Sequence, residues 1–321
     1  MSKKTPGKKV LPAERKGLSR FFYNVVRHKW LLLMLLPSLI YIILFAYLPL
    51  SGLVLAFKKF NYRDGVYFSP WNGLNNFRFL IISKKLWPLT RNTLLYNFAF
   101  IVVGLFCQVS LAILINEIRI KSYKKVTQSM IMLPYFISWV VVSAMFTAFF
   151  GYEQGIISTS IRSIGGTPLN LTQEKRVWPF VLVFMHVWKG VGYGTVVYMA
   201  AITGIDQEIY EAAEVDGANV WQRIFYITIP SLRPTMMTMF LLALGNVFRG
   251  DFGMFYQLVG NNAKILEIAD VLDLFIYRIL ISNNDIGMSS AAGFYQSILC
   301  FVTIVTVNKV IKMANPDYAL F

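Results

Sequence analysis

Cysteine and histidine are nearly missing from this 321-residue chain, at two residues each. Cys107 and Cys300 both fall in apolar runs, which argues against a disulfide framework and leaves them as small packing residues. His28 and His186 are far apart in sequence, and no His-x-x-x-His or Cys-x-x-Cys spacing occurs, so no metal site is expected. His28 belongs to a basic start, and His186 reads as a hydrogen-bonded packing residue within an apolar run. Charge is scarce as well: 15% of residues are Asp, Glu, Lys or Arg, against about 25% in soluble domains. No Gly-x-x-x-x-Gly-Lys-Ser/Thr loop is present, so this chain is not expected to bind ATP. No Gly-x-Ser-x-Gly elbow and no convincing carboxylate pair occurs, so no enzyme active site is read. Internal repeats, low-complexity segments and a separate soluble domain are also missing.

What is present is apolar. Hydrophobic residues make up 56% of the chain and the mean hydropathy is +0.54. A soluble protein of that balance would expose far too much apolar surface, so the fold class expected is an all-α membrane protein. Six transmembrane helices are expected, near residues 31–57, 93–116, 126–150, 177–201, 234–248 and 288–311. Pro37 and Pro49 kink the first of these or mark its ends. The fifth is short and runs into Arg249-Gly250-Asp251-Phe252-Gly253; charge and glycine at that depth predict a re-entrant or loop segment over 249–259. Residues 265–281 have apolar side chains at helical spacing and carry Asp270, Asp273 and Arg278, which predicts one amphipathic helix outside the membrane.

The net charge of +15 is spread along the chain rather than gathered in a nucleic-acid-binding domain, so no nucleic-acid partner is expected. Residues 1–29 carry nine Lys and Arg and read as a tail facing the anionic inner leaflet, ahead of a transmembrane domain over 30–321. An interfacial helix over 19–29 would use Phe21, Phe22 and Trp30 as lipid anchors. With both termini in the cytoplasm, the inner segments carry 17 Lys and Arg and the outer segments 13. The bias is modest, and Lys58, Lys59, Lys84 and Lys85 work against it, but the dense tail before the first helix carries most weight.

The distinctive polar stretch lies at 205–233. Asp206 caps a short helix with Glu208 in its first turn. Glu211, Ala212, Ala213 and Asp216 follow, and Gly217 supplies a reversal of direction. A second short helix carries Trp221, Ile224 and Phe225, and Pro230 and Pro234 close the unit. Glu-Ala-Ala, three residues, Gly, nine residues, Ile, one residue, then Ile-Pro resembles the EAA loop of ATP-binding-cassette importer permeases, with Ile229 where that pattern has Leu. Residues 69–77, 188–198 and 315–321 are similar to the subfamily importing complex oligosaccharides and polysaccharide fragments.

That resemblance implies a type I importer permease of a bacterial cytoplasmic membrane, with no cofactor of its own. The implied partners are a second homologous permease, two ATPase subunits carrying ATP and Mg, an extracellular solute-binding protein and membrane lipid. Glu211, Ala212, Ala213, Asp216 and Gly217 are the implied ATPase-coupling residues. Candidates for the substrate path are Trp188, Lys189, Tyr193, Arg249, Asp251, Phe252 and Tyr256, because ionisable groups at membrane depth are costly and aromatic faces suit sugar rings. For Lys189 a snorkelling role is the competing reading, and Gly190 and Gly194 serve either close helix packing or a loosened helix. Other solutes (amino acids or peptides) or a non-transporting scaffold or sensor are the alternative functions.

Overall fold

The computed structural model describes residues 28–171 and 173–314; the basic tail up to residue 27, with Phe21 and Phe22, and the ending 315–321 lie outside them. The chain divides into two units, one ending at Val54 and one beginning at Leu55. In the first, α1 (Lys29–Ile42) contains Pro37 and continues as a π-helical turn, Ile43–Tyr47, into Leu48–Leu50. It is apolar on every side, as a lipid-facing helix is.

The second unit holds the remaining helices. Two short ones, α2 (Gly65–Phe68) and α3 (Asn75–Ile82), precede the long α4 (Leu86–Asn116). There follow α5 (Lys121–Phe136), α6 (Trp139–Phe150), α7 (Ile156–Ser163), α8 (Trp178–Thr203), α9 (Gln207–Val215) and α10 (Val220–Leu244). The chain then forms α11 (Phe252–Met254, continued by the π-helical Phe255–Val259), α12 (Ala263–Ala269), α13 (Leu272–Ser282) and α14 (Ile286–Ala314). Among the described residues there are no strands, only an isolated antiparallel bridge between Lys58 and Trp71. Among the described residues five helices are long and apolar enough to cross a membrane, and α5 with α6 makes a sixth if the pair is one span. The central pair is α8 on α4, with α5 against the other side of α8.

Three expectations change. The span at 126–150 is not one helix: α5 and α6 meet at 98°. Ile137 and Ser138 are extended there, and Ser138 restarts the helix by accepting the Val141 amide on its hydroxyl. Secondly, Pro230 and Pro234 do not end a short helix, because α10 runs through both. The π-helical turn Ile224–Thr228 widens the helix just ahead of Pro230, where a proline ring would otherwise strike the carbonyl four residues back. Thirdly, residues 252–259 are a short helix rather than a loop, capped by Asp251 and ended at Gly260, whose φ is +55°.

The amphipathic stretch 265–281 also splits, into α12 and α13, at the extended Asp270 and Val271. Polar side chains of α4 take the freed backbone groups. Thr93 Oγ1 accepts the Leu272 amide at 2.9 Å, Asn92 donates to the Asp270 carbonyl at 3.2 Å, and the Tyr96 hydroxyl donates to the Ile268 carbonyl at 3.2 Å. Arg278 pairs with the Asp270 carboxylate, yet burial still pushes that carboxyl above the ordinary carboxylate range. Lys58, one of the lysines opposing the charge bias, is 6% exposed. Its ammonium donates to the Tyr67 carbonyl and lies 5.5 Å from the Trp71 ring, so it pins its own loop.

Candidate functional site

The polar stretch folds as its local chemistry dictates. Asp206 Oδ1 accepts the Glu208 amide at 3.0 Å to start α9. At its end Ala218 N donates to Ala213 O and Gly217 N to Glu214 O, the pair of bonds of a Schellman turn. Gly217 sits at φ +79°, which only glycine adopts without strain. Asn219 and Gln222 then exchange side-chain and backbone bonds in a capping box that starts α10. Two contacts fix α9 on α10: the Arg223–Glu214 ion pair at 2.5 Å and the Tyr210–Thr228 hydroxyl pair at 2.8 Å. Glu211, Ala212, Asp216 and Gly217 are exposed and Ala213 is half-buried. A cavity of about 450 Å3 runs beside α9, lined by Asn116, Arg119, Tyr210, Glu211, Glu214 and Arg223 among others.

A second cavity, of about 470 Å3, lies among α4, α8, α10 and the turn before α11. Asn97, Phe100, Gln108, His186, Arg249 and Asp251 are on its wall. The His186 ring stacks on Phe100 at 4.0 Å. Asp251 is heavily used: Trp139 Nε1 donates to its Oδ2 at 3.0 Å and the Met254 amide to its Oδ1 at 3.2 Å. His186 Nδ1 lies 3.5 Å from the same Oδ2, outside hydrogen-bond geometry. Arg249, by contrast, is exposed to the cavity and its guanidinium makes no hydrogen bond or ion pair among the described residues.

Of the substrate-path candidates, then, Arg249 and Asp251 share one wall. Lys189 points elsewhere: its ammonium donates to the Tyr135 carbonyl at 2.8 Å and lies 5.5 Å from both the Tyr135 and Trp139 rings. It thereby satisfies one of the last carbonyls of α5 at the 98° break. Tyr193 stacks on Tyr135 at 5.2 Å, and Phe252 stacks on Tyr256 at 5.4 Å with Tyr277 against both. Trp188 is half-buried and does not line the cavity. Trp139 and Tyr198 were not singled out by sequence; Tyr198 lines the cavity with a buried hydroxyl that has no partner among the described residues. Neither carries a polar signal of its own: Trp139 opens the apolar run after Ser138, and Tyr198 stands within the apolar run 196–202. No group of three or more His, Cys, Asp or Glu among the described residues is placed to hold a metal ion.

The close glycine contacts also differ from the Gly-x-x-x-Gly reading. Gly190 faces open space. A Cβ on Gly192 would stand 2.1 Å from the Ile131 carbonyl oxygen, and one on Gly194 would stand 2.1 Å from the Gln108 side chain. Gly192→Ala is expected to force α5 off α8 and destabilise the protein by about 1–3 kcal/mol, seen as a lower unfolding temperature in detergent. Gly190→Ala in the same assay is expected to change little.

The family model described as "binding-protein-dependent transport system inner membrane component" matches residues 101–312. The chain belongs to that family. The permease is 31% identical over 302 residues to Protein LplB of Bacillus subtilis (strain 168), covering 94% of each chain. It is 29% identical to the polygalacturonan/rhamnogalacturonan transport system permease YteP of the same organism, over 91% of each. Among solved structures it matches a bacterial ABC transporter involved in import of the acidic polysaccharide alginate. That match has a TM-score of 0.83 and 29% identity over 92% of this chain and 99% of that one. A bacterial alginate ABC transporter in complex with an alginate pentasaccharide-bound periplasmic protein matches with a TM-score of 0.82 and 28% identity, over 92% of this chain and 98% of that one. The permease therefore has the type I importer fold, is a multi-pass membrane protein, and belongs among transport components rather than enzymes.

Proposed function

We propose that this permease forms, with a second permease, the path for an acidic oligosaccharide delivered by an extracellular binding protein. The observation that carries the reading is the cavity wall. Arg249 is an exposed guanidinium with no hydrogen bond or ion pair among the described residues, on one wall with the Asn97 and Gln108 amides, a set suited to a carboxylate and hydroxyls. Relatives named for polygalacturonan and alginate transport support an acidic sugar. An amino acid or peptide would also present an ammonium, and the acidic group on this wall, Asp251, is already engaged by Trp139 and the Met254 amide.

The driving energy comes from two ATPase subunits holding ATP and Mg, docked on Glu211, Ala212, Ala213, Asp216 and Gly217 at the cytoplasmic face. The excess of basic residues on the segments flanking that loop supports this side, with both termini inside. Glu211→Lys is expected to abolish coupled uptake without lowering the unfolding temperature, since exposed substitutions alter stability by only about 0.5 kcal/mol.

The reading is tested with the complete transporter in proteoliposomes, comparing a uronate trisaccharide with its carboxyl-reduced neutral counterpart. Uptake of the acidic probe is expected to be at least about tenfold more efficient, the worth of one charge-assisted bond. Equal uptake of the two removes the acidic assignment. Uptake of peptides or amino acids with no sugar entering overturns the proposal.

A further inference from the structure

We propose that Asp273 and Gln296 are positioning residues for Arg249, setting where its guanidinium meets the substrate. Neither side chain lines the cavity. Both instead hold the backbone immediately on either side of Arg249. The Gly250 amide donates to Asp273 Oδ2 at 2.5 Å, and Gln296 Nε2 donates to the Phe248 carbonyl at 2.7 Å. The same Gln296 amino group donates to Asp273 Oδ2 at 3.0 Å, so its two hydrogens match two acceptors and close the network. Asp273 comes from α13 and Gln296 from α14, 23 residues apart, while the turn they grip ends the α10 segment.

The geometry is specific to this turn. A Cβ on Gly250 would stand 3.2 Å from Asp273 Oδ2 and 3.4 Å from a Val271 methyl, so the approach of carboxylate to backbone depends on glycine. Gln296 is 7% exposed and so cannot exchange its bonds for water. Arg249 itself makes no side-chain hydrogen bond or ion pair among the described residues, so its placement rests on the backbone that these two residues hold, with the Asp273 carboxylate close enough to attract its charge. The inference rests on the reading of Arg249 as the substrate's partner, but the network exists whatever the substrate.

The test uses the assembled transporter and three variants: Asp273→Ala, Gln296→Met and Asp273→Asn. Without substrate, Asp273→Ala and Gln296→Met are expected to speed hydrogen exchange of the peptide around Gly250 about tenfold, the loss of one buried bond. Asp273→Asn, which keeps an acceptor for Gly250, restores part of the protection. Unchanged exchange in both of the first two variants overturns the network. In uptake, Asp273→Ala is expected to raise KM for the uronate trisaccharide about tenfold with little change in maximal rate, and to do far less in an Arg249→Gln background. Equal effects in the two backgrounds reduce Asp273 to a general structural residue and overturn the positioning role. If the wild type does not separate acidic from neutral probe, the acidic-substrate reading fails. The exchange data and the same cycle on whichever probe enters then still decide the positioning claim.

Discussion

Arg249→Met is expected to lower the efficiency of acidic oligosaccharide uptake by roughly 10- to 100-fold, while neutral probes are handled as before. A hydrogen bond to a charged group contributes about 1.5–3 kcal/mol, and here nothing on the protein side takes its place. Asp251, the acidic group on the same wall, is held by Trp139 and the Met254 amide and makes no ion pair with Arg249. Stability is expected to stay level, because the guanidinium makes no bond to break among the described residues. Arg249→Lys keeps the charge but not the two-pronged donor geometry, and should fall between the two. The measurement is initial uptake of the uronate trisaccharide against its carboxyl-reduced counterpart. An unchanged ratio in Arg249→Met would sink the assignment of Arg249 to the substrate.

Gly217→Val is expected to abolish uptake and binding-protein-stimulated ATP hydrolysis while leaving the membrane helices folded. At φ +79° an L-residue costs about 1–2 kcal/mol, and a β-branched one more. A Cβ there meets nothing within 4 Å, so the whole effect is backbone strain rather than a clash. The turn can relieve that strain only by giving up the Ala218–Ala213 and Gly217–Glu214 bonds, which turns α9 away from α10. Gly217→Asn should be nearly silent and Gly217→Ala intermediate, since asparagine tolerates this region best. The order Asn, Ala, Val in uptake, at constant unfolding temperature, distinguishes strain from loss of packing. Normal uptake by the valine variant would remove this turn from the coupling path.

The polar segment at 205–233 was legible because its determinants are short-range. Asp206 capping α9, Glu208 in its first turn and Gly217 at the reversal are each decided within four residues, by amides that need acceptors and a backbone angle that needs glycine. The 98° break was less legible although Pro134 and Ser138 both stand near it. From 130 to 150 the run is almost wholly apolar, and a proline within such a run marks a kink as readily as an end, so the two helices read as one. The course of α10 through Pro230 was hidden for a related reason: proline signals an end unless a π-helical turn makes room for it, and nothing in residues 224–228 announces that turn.

The composition, with its scarce charge and long apolar runs, determined by itself that this is a membrane protein, and the capping residues determined the shape of the polar segment at 205–233. The sequence also identified the costly groups at depth, Lys189, Arg249 and Asp251, but gave them equal standing. Only the tertiary structure separated them. Lys189 is taken by the Tyr135 carbonyl and Asp251 by Trp139, 112 residues away, while Arg249 is left open to the cavity with its backbone gripped from α13 and α14. Partners that distant are brought together by helix packing, and an apolar chain does not encode in its local pattern which of its few charges will find one.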